Sequence, residues 1–408
     1  MKIVKLPLEG FTVIELGTHV VVPNAGRFLA DWGADVIKVE APAGEEWRKV
    51  GPSYCTPMTD EENPLFQEQN ANKRLIALNL KSGEGKAVFL RMVAKADVFM
   101  SNVRMRSLTK MGLDYETLRQ LNPTLIYAHF TGYGTEGAEA SKPGFDMSSF
   151  WARCGAMRDW SDPEGFPFKP PGGFGDAATS AAFTTGILAA IIGRQNSGKG
   201  TFVTSSLHAC GLWYNQTGIL SAQYGNQYPP SPKEARNPFT HIYQCGDGEY
   251  LITTVPNYDA NFNRVMEAMG LEQYCDDPRY CRRTPQGLFA GDNLRDFISI
   301  LNVRFMEKSR DEWMETFARA DIACERLLHQ RDVVDDRQAW DNGCLHRVDY
   351  PASGMSAAFP TVPVRFSEYP VSGMRMSGAV GRDTCEVLEE YGYSKAEIQS
   401  MQRDGAVL

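Results

Sequence analysis

The sequence has nine cysteines, an odd number scattered along the chain, and no Cys-x-x-Cys pair among them. It therefore offers no disulfide framework and no zinc knuckle, and it fits a reduced, cytoplasmic protein. Histidine is scarce, with six scattered residues, so no metal site is expected. Basic charge is in deficit: 42 Lys and Arg against 50 Asp and Glu leave a net charge of −8. That argues against a nucleic-acid or anionic-membrane partner, while leaving room for a local basic pocket around an anionic ligand. The longest apolar run, within 177–192, is shorter than the ~20 residues of a spanning helix and contains Thr and Ser, so it reads as core. The stretch Met1 to Gly10 lacks the apolar centre of a signal peptide. There is no internal repeat, no low-complexity tract and no Gly-x-Gly-x-x-Gly dinucleotide fingerprint. The segment Gly193 to Thr201 nearly matches a phosphate-binding loop, but Gly200 stands where a hydroxyl must reach magnesium, and a helix precedes the loop.

The 408 residues are 43% hydrophobic and 23% charged, which is ordinary for a globular chain and long enough for two or three domains. Phe11–Leu16 reads as a strand, Asn24–Trp32 as a helix stopped by Gly33, and Ala34–Glu40 as a second strand. This is a βαβ unit, so the strands should be parallel, with ligands expected at Gly17–Pro23, the carboxyl end of the first. Residues 43–70 read as an irregular excursion. Strands at 72–80, 96–100 and 125–130 alternate with helices at 82–95, with Ser82 as N-cap, and at 115–121. Residues 224–240, rich in Pro, Asn and Tyr, mark a boundary. Beyond it come a hairpin over 241–255 and helical patterns at 259–269 and 292–320. Val333–Trp340 looks helical, Val362–Phe366 like a strand and Thr384–Tyr391 like a terminal helix.

One stretch concentrates the chemistry: Pro170-Pro171-Gly172-Gly173-Phe174-Gly175-Asp176, followed by a small-residue, apolar helical segment. The glycines leave space for a ligand against the backbone. Asp176 at the junction has two readings, an N-cap or a nucleophile in a glycine loop at a helix start.

An ordered set of pieces resembles the class III CoA-transferases, the type that includes formyl-CoA and carnitine CoA-transferase. The pieces are Leu8–Leu16, Leu29–Glu40, Asn72-Lys73-Arg74 with Leu78–Lys81, Ala96-Asp97-Val98, Gly132-Tyr133-Gly134, Pro143-Gly144-Phe145-Asp146 and Gly175-Asp176. Within the family the chain most resembles clostridial transferases that move CoA onto 2-hydroxy acids such as phenyllactate or 2-hydroxyisocaproate. That likeness runs through Phe145-Asp146, Phe150-Trp151-Ala152-Arg153 and Asn237-Pro238-Phe239.

The resemblance implies an α/β fold with a Rossmann-like large domain and a smaller α+β domain, in an interlocked homodimer. The large domain would comprise 1–223 and 331–408, with the small domain and its linkers at 224–330. The substrates would be an acyl-CoA and a free carboxylic acid, with no metal and no redox cofactor. Asp176 matches the catalytic aspartate. CoA contacts would fall on His19, Val20, Val21 and Val22, on Leu78, Asn79, Leu80 and Lys81, on Asn102, Val103 and Arg104, on Lys110, and on Lys142, Phe145 and Asp146. Ala41 stands where formyl-CoA transferase has an arginine for CoA, so Lys38 or Arg48 is expected to substitute. The small domain lacks that enzyme's glycine-rich loop between 224 and 260. The resemblance also implies amino-acid fermentation and a functional link to a 2-hydroxyacyl-CoA dehydratase.

Two rivals accompany this reading. α-Methylacyl-CoA racemases carry Gly-His-Asp where this chain has Gly144-Phe145-Asp146, and phenylalanine cannot move a proton. A non-catalytic CoA-binding subunit of a dehydratase system is the other. The aspartate in its glycine loop favours an active enzyme.

Overall fold

Six parallel strands set the frame. In the computed structural model, which describes residues 5–162, 165–226, 235–371 and 373–408, they are β1 (Thr12–Leu16), β2 (Asp35–Glu40), β3 (Arg74–Ala77), β4 (Val98–Ser101), β5 (Ile126–Thr131) and β6 (Thr201–Ser206). Their order is β3-β2-β1-β4-β5-β6. The order reverses between β1 and β4, so a crevice opens at the carboxyl ends of those two strands. The pairing is in register from Val13 opposite Val98 to Leu16 opposite Ser101. The fold is therefore mixed α/β with a doubly wound parallel sheet, as the alternating pattern predicts.

The strands read as near-continuous apolar runs because both sheet faces are covered. Alternate residues go to opposite faces. Val13, Val36, Val98 and Ile126 join one core with α1 (Val21–Asp31), α7 (Phe174–Ser197) and α8 (Leu207–Tyr214). Ile14, Ile37, Phe99 and Tyr127 join a second with α3 (Gly83–Val93), α5 (Tyr115–Leu121) and two C-terminal helices, α14 (Thr384–Glu390) and α15 (Lys395–Arg403). Local chemistry sets the ends. Ser82 caps α3 by accepting from Gly85 N–H, Asp114 caps α5 through Thr117 N–H, and Ser394 with Glu397 forms a capping box on α15. The open edge of β3 is covered by the C-terminal segment: Asp383 and Thr384 accept from Leu75 and Ala77 N–H, and Val407 bridges to Leu78.

The chain divides into two compact units. One comprises Met1–Arg158, Phe168–Gly225 and Gln338–Leu408; the other comprises Asp159–Pro167 and Asn226–Arg337. The second unit has a three-stranded antiparallel sheet of β7 (Ile242–Gln244), β8 (Tyr250–Thr253) and β9 (Cys324–Arg326), with α10 (Tyr258–Met269), α11 (Asn293–Phe305) and α12 (Arg310–Arg319). Its core is aromatic, built on Tyr243, Tyr258, Phe262, Phe297 and Trp313. Residues 227–234 of the boundary stretch at 224–240 lie outside the described residues.

Several expectations are corrected. The excursion at 43–70 contains α2 (Pro64–Asn70), capped by Asn63 with Pro64 at its first position. A helix α4 (Met105–Met111) follows β4, ending at Gly112 in the left-handed region. α6 (Ala156–Asp159) and α13 (Arg337–Asp341) are single turns, and α9 (Gln216–Gln223) continues from α8. No strand spans 362–366; the hairpin instead joins β10 (Leu345–Tyr350) to β11 (Met355–Pro360), and Pro363 follows too soon for a further strand. The apolar run at 177–192 is part of a 24-residue helix, α7, long and apolar enough by length and composition to cross a membrane. Its Phe183, Ile187 and Ile191 are buried in the first core.

Candidate active site

The loop after β1 is fixed from two sides. Thr18 N–H donates to Asn102 Oδ1 (3.0 Å) and Asn102 Nδ2 donates back to Thr18 O (2.8 Å). His19 sits at φ 61°, rare for a residue with a Cβ, and its N–H donates to Glu45 Oε2 (2.8 Å). Glu45 is in turn paired with Lys38, which also binds Glu15 and the Gly17 carbonyl; Lys73 completes the cluster on Glu15 at 2.8 Å. All four charges are buried. Burial works against the charge of Lys38, but Glu45, Glu15 and Glu40 outweigh it and hold its pKa above the ordinary value. Lys73, whose burial is less compensated, is pushed down to about 8.

The crevice is a cavity of about 620 Å³. Thr18, His19, Val20 and Val21 from the β1 loop form one wall, and Asn102, Arg104, Met105 and Arg106 from the β4–α4 junction form another. The ends of β5 and the 132–145 loop supply His129, Phe130, Lys142 and Phe145. Asp176 closes the ring. The 132–145 loop folds back on itself because Gly132 and Gly144 touch: a Cβ on Gly132 would lie 2.6 Å from the Gly144 Cα. Lys142 is paired with Glu139 at 2.7 Å, and Arg153 takes the other oxygen of that carboxylate. Arg104 and Arg106 are exposed and form no ion pair among the described residues.

Asp176 stands at the third position of α7. The N-cap is Gly173, at φ 84° and without a capping side chain, so the cap reading of Asp176 is corrected. Burial, reinforced by the charge of Asp146, pushes the Asp176 carboxyl up to about 7. His129 is buried at the end of β5. Its Nε2 donates to Val103 O (2.9 Å), and burial holds its pKa below the ordinary value, so the ring is neutral near pH 7.

Of the residues expected around CoA, His19, Val20, Val21, Asn102, Arg104, Lys142 and Phe145 line the cavity with Asp176. The others lie outside its lining. Val22 is buried in α1 beneath the loop, and Val103 turns its carbonyl to His129. Lys38 has every proton committed to buried acceptors, and Arg48, its stand-in, is locked on Glu40 at 2.7 Å. Leu78–Lys81 follow β3, at the edge of the sheet, where the backbone N–H of Asn79 is taken by Ala406 O. Lys110 is on the exposed surface of α4. Asp146 is buried behind the wall. Sequence reasoning missed Arg106 and His129; the available signal was their position just past β4 and at the end of β5. Among the described residues, no group of three or more His, Cys, Asp or Glu is placed to hold a metal ion.

Comparison with known proteins places this geometry. Residues 8–384 match the family described as CoA-transferase family III. The chain is 36% identical to cinnamoyl-CoA:phenyllactate CoA-transferase of Clostridium sporogenes, covering 98% of this chain and 97% of that one. It is 32% identical to (R)-2-hydroxy-4-methylpentanoate CoA-transferase of Clostridioides difficile, covering 97% and 98%. The crystal structure of a CAIB/BAIF family protein from Brucella suis superposes with a TM-score of 0.79 at 27% identity, covering 95% of this chain and 100% of that one. The chain belongs to CoA-transferase family III and is a transferase enzyme.

Proposed function

We propose that the enzyme moves CoA from an acyl-CoA to a free 2-hydroxy acid with a branched or aromatic side chain, with Asp176 as the nucleophile. The observation that carries this reading is a single carboxyl at a helix start, set in the cavity wall and made more basic by burial. A buried carboxyl whose pKa lies near 7 is, once ionised, less solvated and more nucleophilic than an exposed one, and about half of it is ionised at neutral pH.

Asp176 attacks the thioester carbonyl and the CoA thiolate leaves, giving an aspartyl–acyl anhydride. The thiolate then attacks the aspartyl carbonyl, which forms an aspartyl-CoA thioester and releases the donor acid as its carboxylate. The acceptor carboxylate attacks that thioester and expels the thiolate, giving a second anhydride. The thiolate attacks the acceptor carbonyl, and Asp176 is regenerated as a carboxylate. Each step forms one bond and breaks one, with no net proton change. Arg104, Arg106 and Lys142 supply positive charge for the CoA phosphates, and Val20, Val21, Phe130 and Phe145 supply apolar wall for the acyl group and the pantetheine arm.

The two clostridial relatives act on aromatic and branched 2-hydroxy acids by name, which supports that acceptor class; a link to a 2-hydroxyacyl-CoA dehydratase that consumes the product is part of the proposal. The nine cysteines are all free, in keeping with the cytoplasm. A homodimer with interlocked large domains, 1–223 with 331–408, is part of the proposal. It is supported by large apolar side chains left exposed on this unit: α9 buries no residue, and Ile192, Trp213 and Leu220 are exposed. The test is an exchange assay with a panel of acids. Preference for a branched or aromatic 2-hydroxy acid is expected; preference for oxalate, formate or carnitine would overturn the acceptor class.

A further inference from the structure

Resemblance places Asp146 among the CoA contacts, yet the structure sets it elsewhere. It is 6% exposed, it does not line the cavity, and its Oδ2 accepts from Gly173 N–H at 2.9 Å. We infer that Asp146 is a positioning residue for Asp176: from a separate element it caps the start of α7 and so fixes where the Asp176 carboxylate meets the cavity.

The first turn of any helix leaves N–H groups without partners, and a side chain at the N-cap ordinarily takes one of them. In α7 that position is Gly173, which has no side chain to offer. The Asp146 carboxylate fills the role in its place. Burial raises the Asp146 pKa above its ordinary value, and the Gly173 bond, with the backbone N–H groups of Asp176 and Gly175, works against that rise. The approach is as close as a backbone permits. A Cβ on Gly175 would lie 2.3 Å from Asp146 Oδ1 and 2.6 Å from the Phe150 ring. Asp146 is held in turn by a seven-residue π-helical segment, Asp146–Ala152, a form that recurs at functional sites. Phe145, the residue before it, does line the cavity. One rigid piece thus joins a cavity wall to the start of the Asp176 helix. The same carboxylate places a second negative charge beside Asp176, which favours the protonated form of the nucleophile.

The kinetic side of this inference rests on Asp176 being the nucleophile, so two kinds of readout are needed. In the full-length protein, hydrogen–deuterium exchange over residues 172–180 should quicken about tenfold or more in Asp146→Ala and less in Asp146→Asn, which keeps an acceptor. Unchanged exchange there would overturn the cap. In steady-state exchange of CoA, Asp146→Ala should lose about a hundredfold in kcat, the cost of an ångström-scale misplacement, while KM for acyl-CoA stays within about threefold. A raised KM with kcat kept would overturn positioning in favour of a CoA contact. In Asp146→Asn the acidic limb of the kcat/KM profile should move to lower pH; a limb that stays put overturns the charge effect. If Asp146→Ala does not fold, Gly175→Ala carries the test, since its Cβ pushes the same contact apart; a normal kcat there overturns positioning. Exchange retained in Asp176→Asn would overturn the nucleophile reading and the kinetic half with it, whereas the amide-exchange result stands or falls alone.

Discussion

Replacing Asp176 by Asn should make the protein more stable at pH 8 while abolishing CoA transfer. An ordinary aspartate titrates at 3.8, whereas burial and the charge of Asp146 push Asp176 up to about 7. Each pH unit is about 1.4 kcal/mol, so the ionised carboxylate costs the folded state on the order of 4 kcal/mol at full burial. The side chain retains some exposure to solvent, which places the expected effect at about 2–4 kcal/mol. Between pH 3.8 and 7 the folded protein holds a proton that the unfolded chain has released. Stability from that proton is complete below 3.8 and is lost as pH rises through about 7. Asn is neutral throughout and occupies the same volume. Thermal unfolding should therefore favour Asp176→Asn by several degrees at pH 8, by less at pH 6, and not at all near pH 4. A variant less stable than the parent at pH 8, or a difference independent of pH, would refute the claim that Asp176 bears a buried, unpaired charge.

Three further outcomes follow. For the parent enzyme, kcat/KM should rise with pH and level off above about 7, because in the proposed mechanism only the ionised Asp176 attacks; a profile flat from pH 5 to 8 would contradict this. Arg104→Ala and Arg106→Ala should each raise KM for acyl-CoA about tenfold, the loss of one charge-assisted bond of about 1.5 kcal/mol, and the effect should shrink at high salt; unchanged KM in both would remove them from the phosphate site. Lys38→Met should act on stability, with about 3–5 kcal/mol lost in chemical denaturation because Glu45 is left buried without its cation and Glu15 keeps only Lys73. A stable Lys38→Met with weakened CoA binding would return Lys38 to the ligand.

The frame of the molecule was legible because it is local. The apolar runs of β1, β2, β4 and β5 and the cap at Ser82 depend on neighbours a few residues away. The helix α2 was equally local, announced by Asn63-Pro64, but the surrounding polar stretch obscured it. The fate of Lys38 was not legible, because it depends on Glu15 and Glu45 meeting across two strands and a loop. The same holds for Leu78–Lys81: their distance from the crevice follows from β3 taking the sheet edge, which no spacing in the sequence reveals. Asp176 was legible as a residue but not in its position. That Gly173 rather than Asp176 starts the helix is decided by a left-handed backbone and by Asp146, 30 residues earlier.

The central claim is that Asp176 carries the acyl group and then CoA. It is tested most directly by incubating the enzyme with the acyl-CoA donor alone, quenching with hydroxylamine, and weighing the peptide spanning 172–194. The account predicts a hydroxamate on Asp176, formed before any acceptor is added and absent from Asp176→Asn. An unmodified Asp176 in enzyme that is active in exchange, or a modification on another residue, would contradict it.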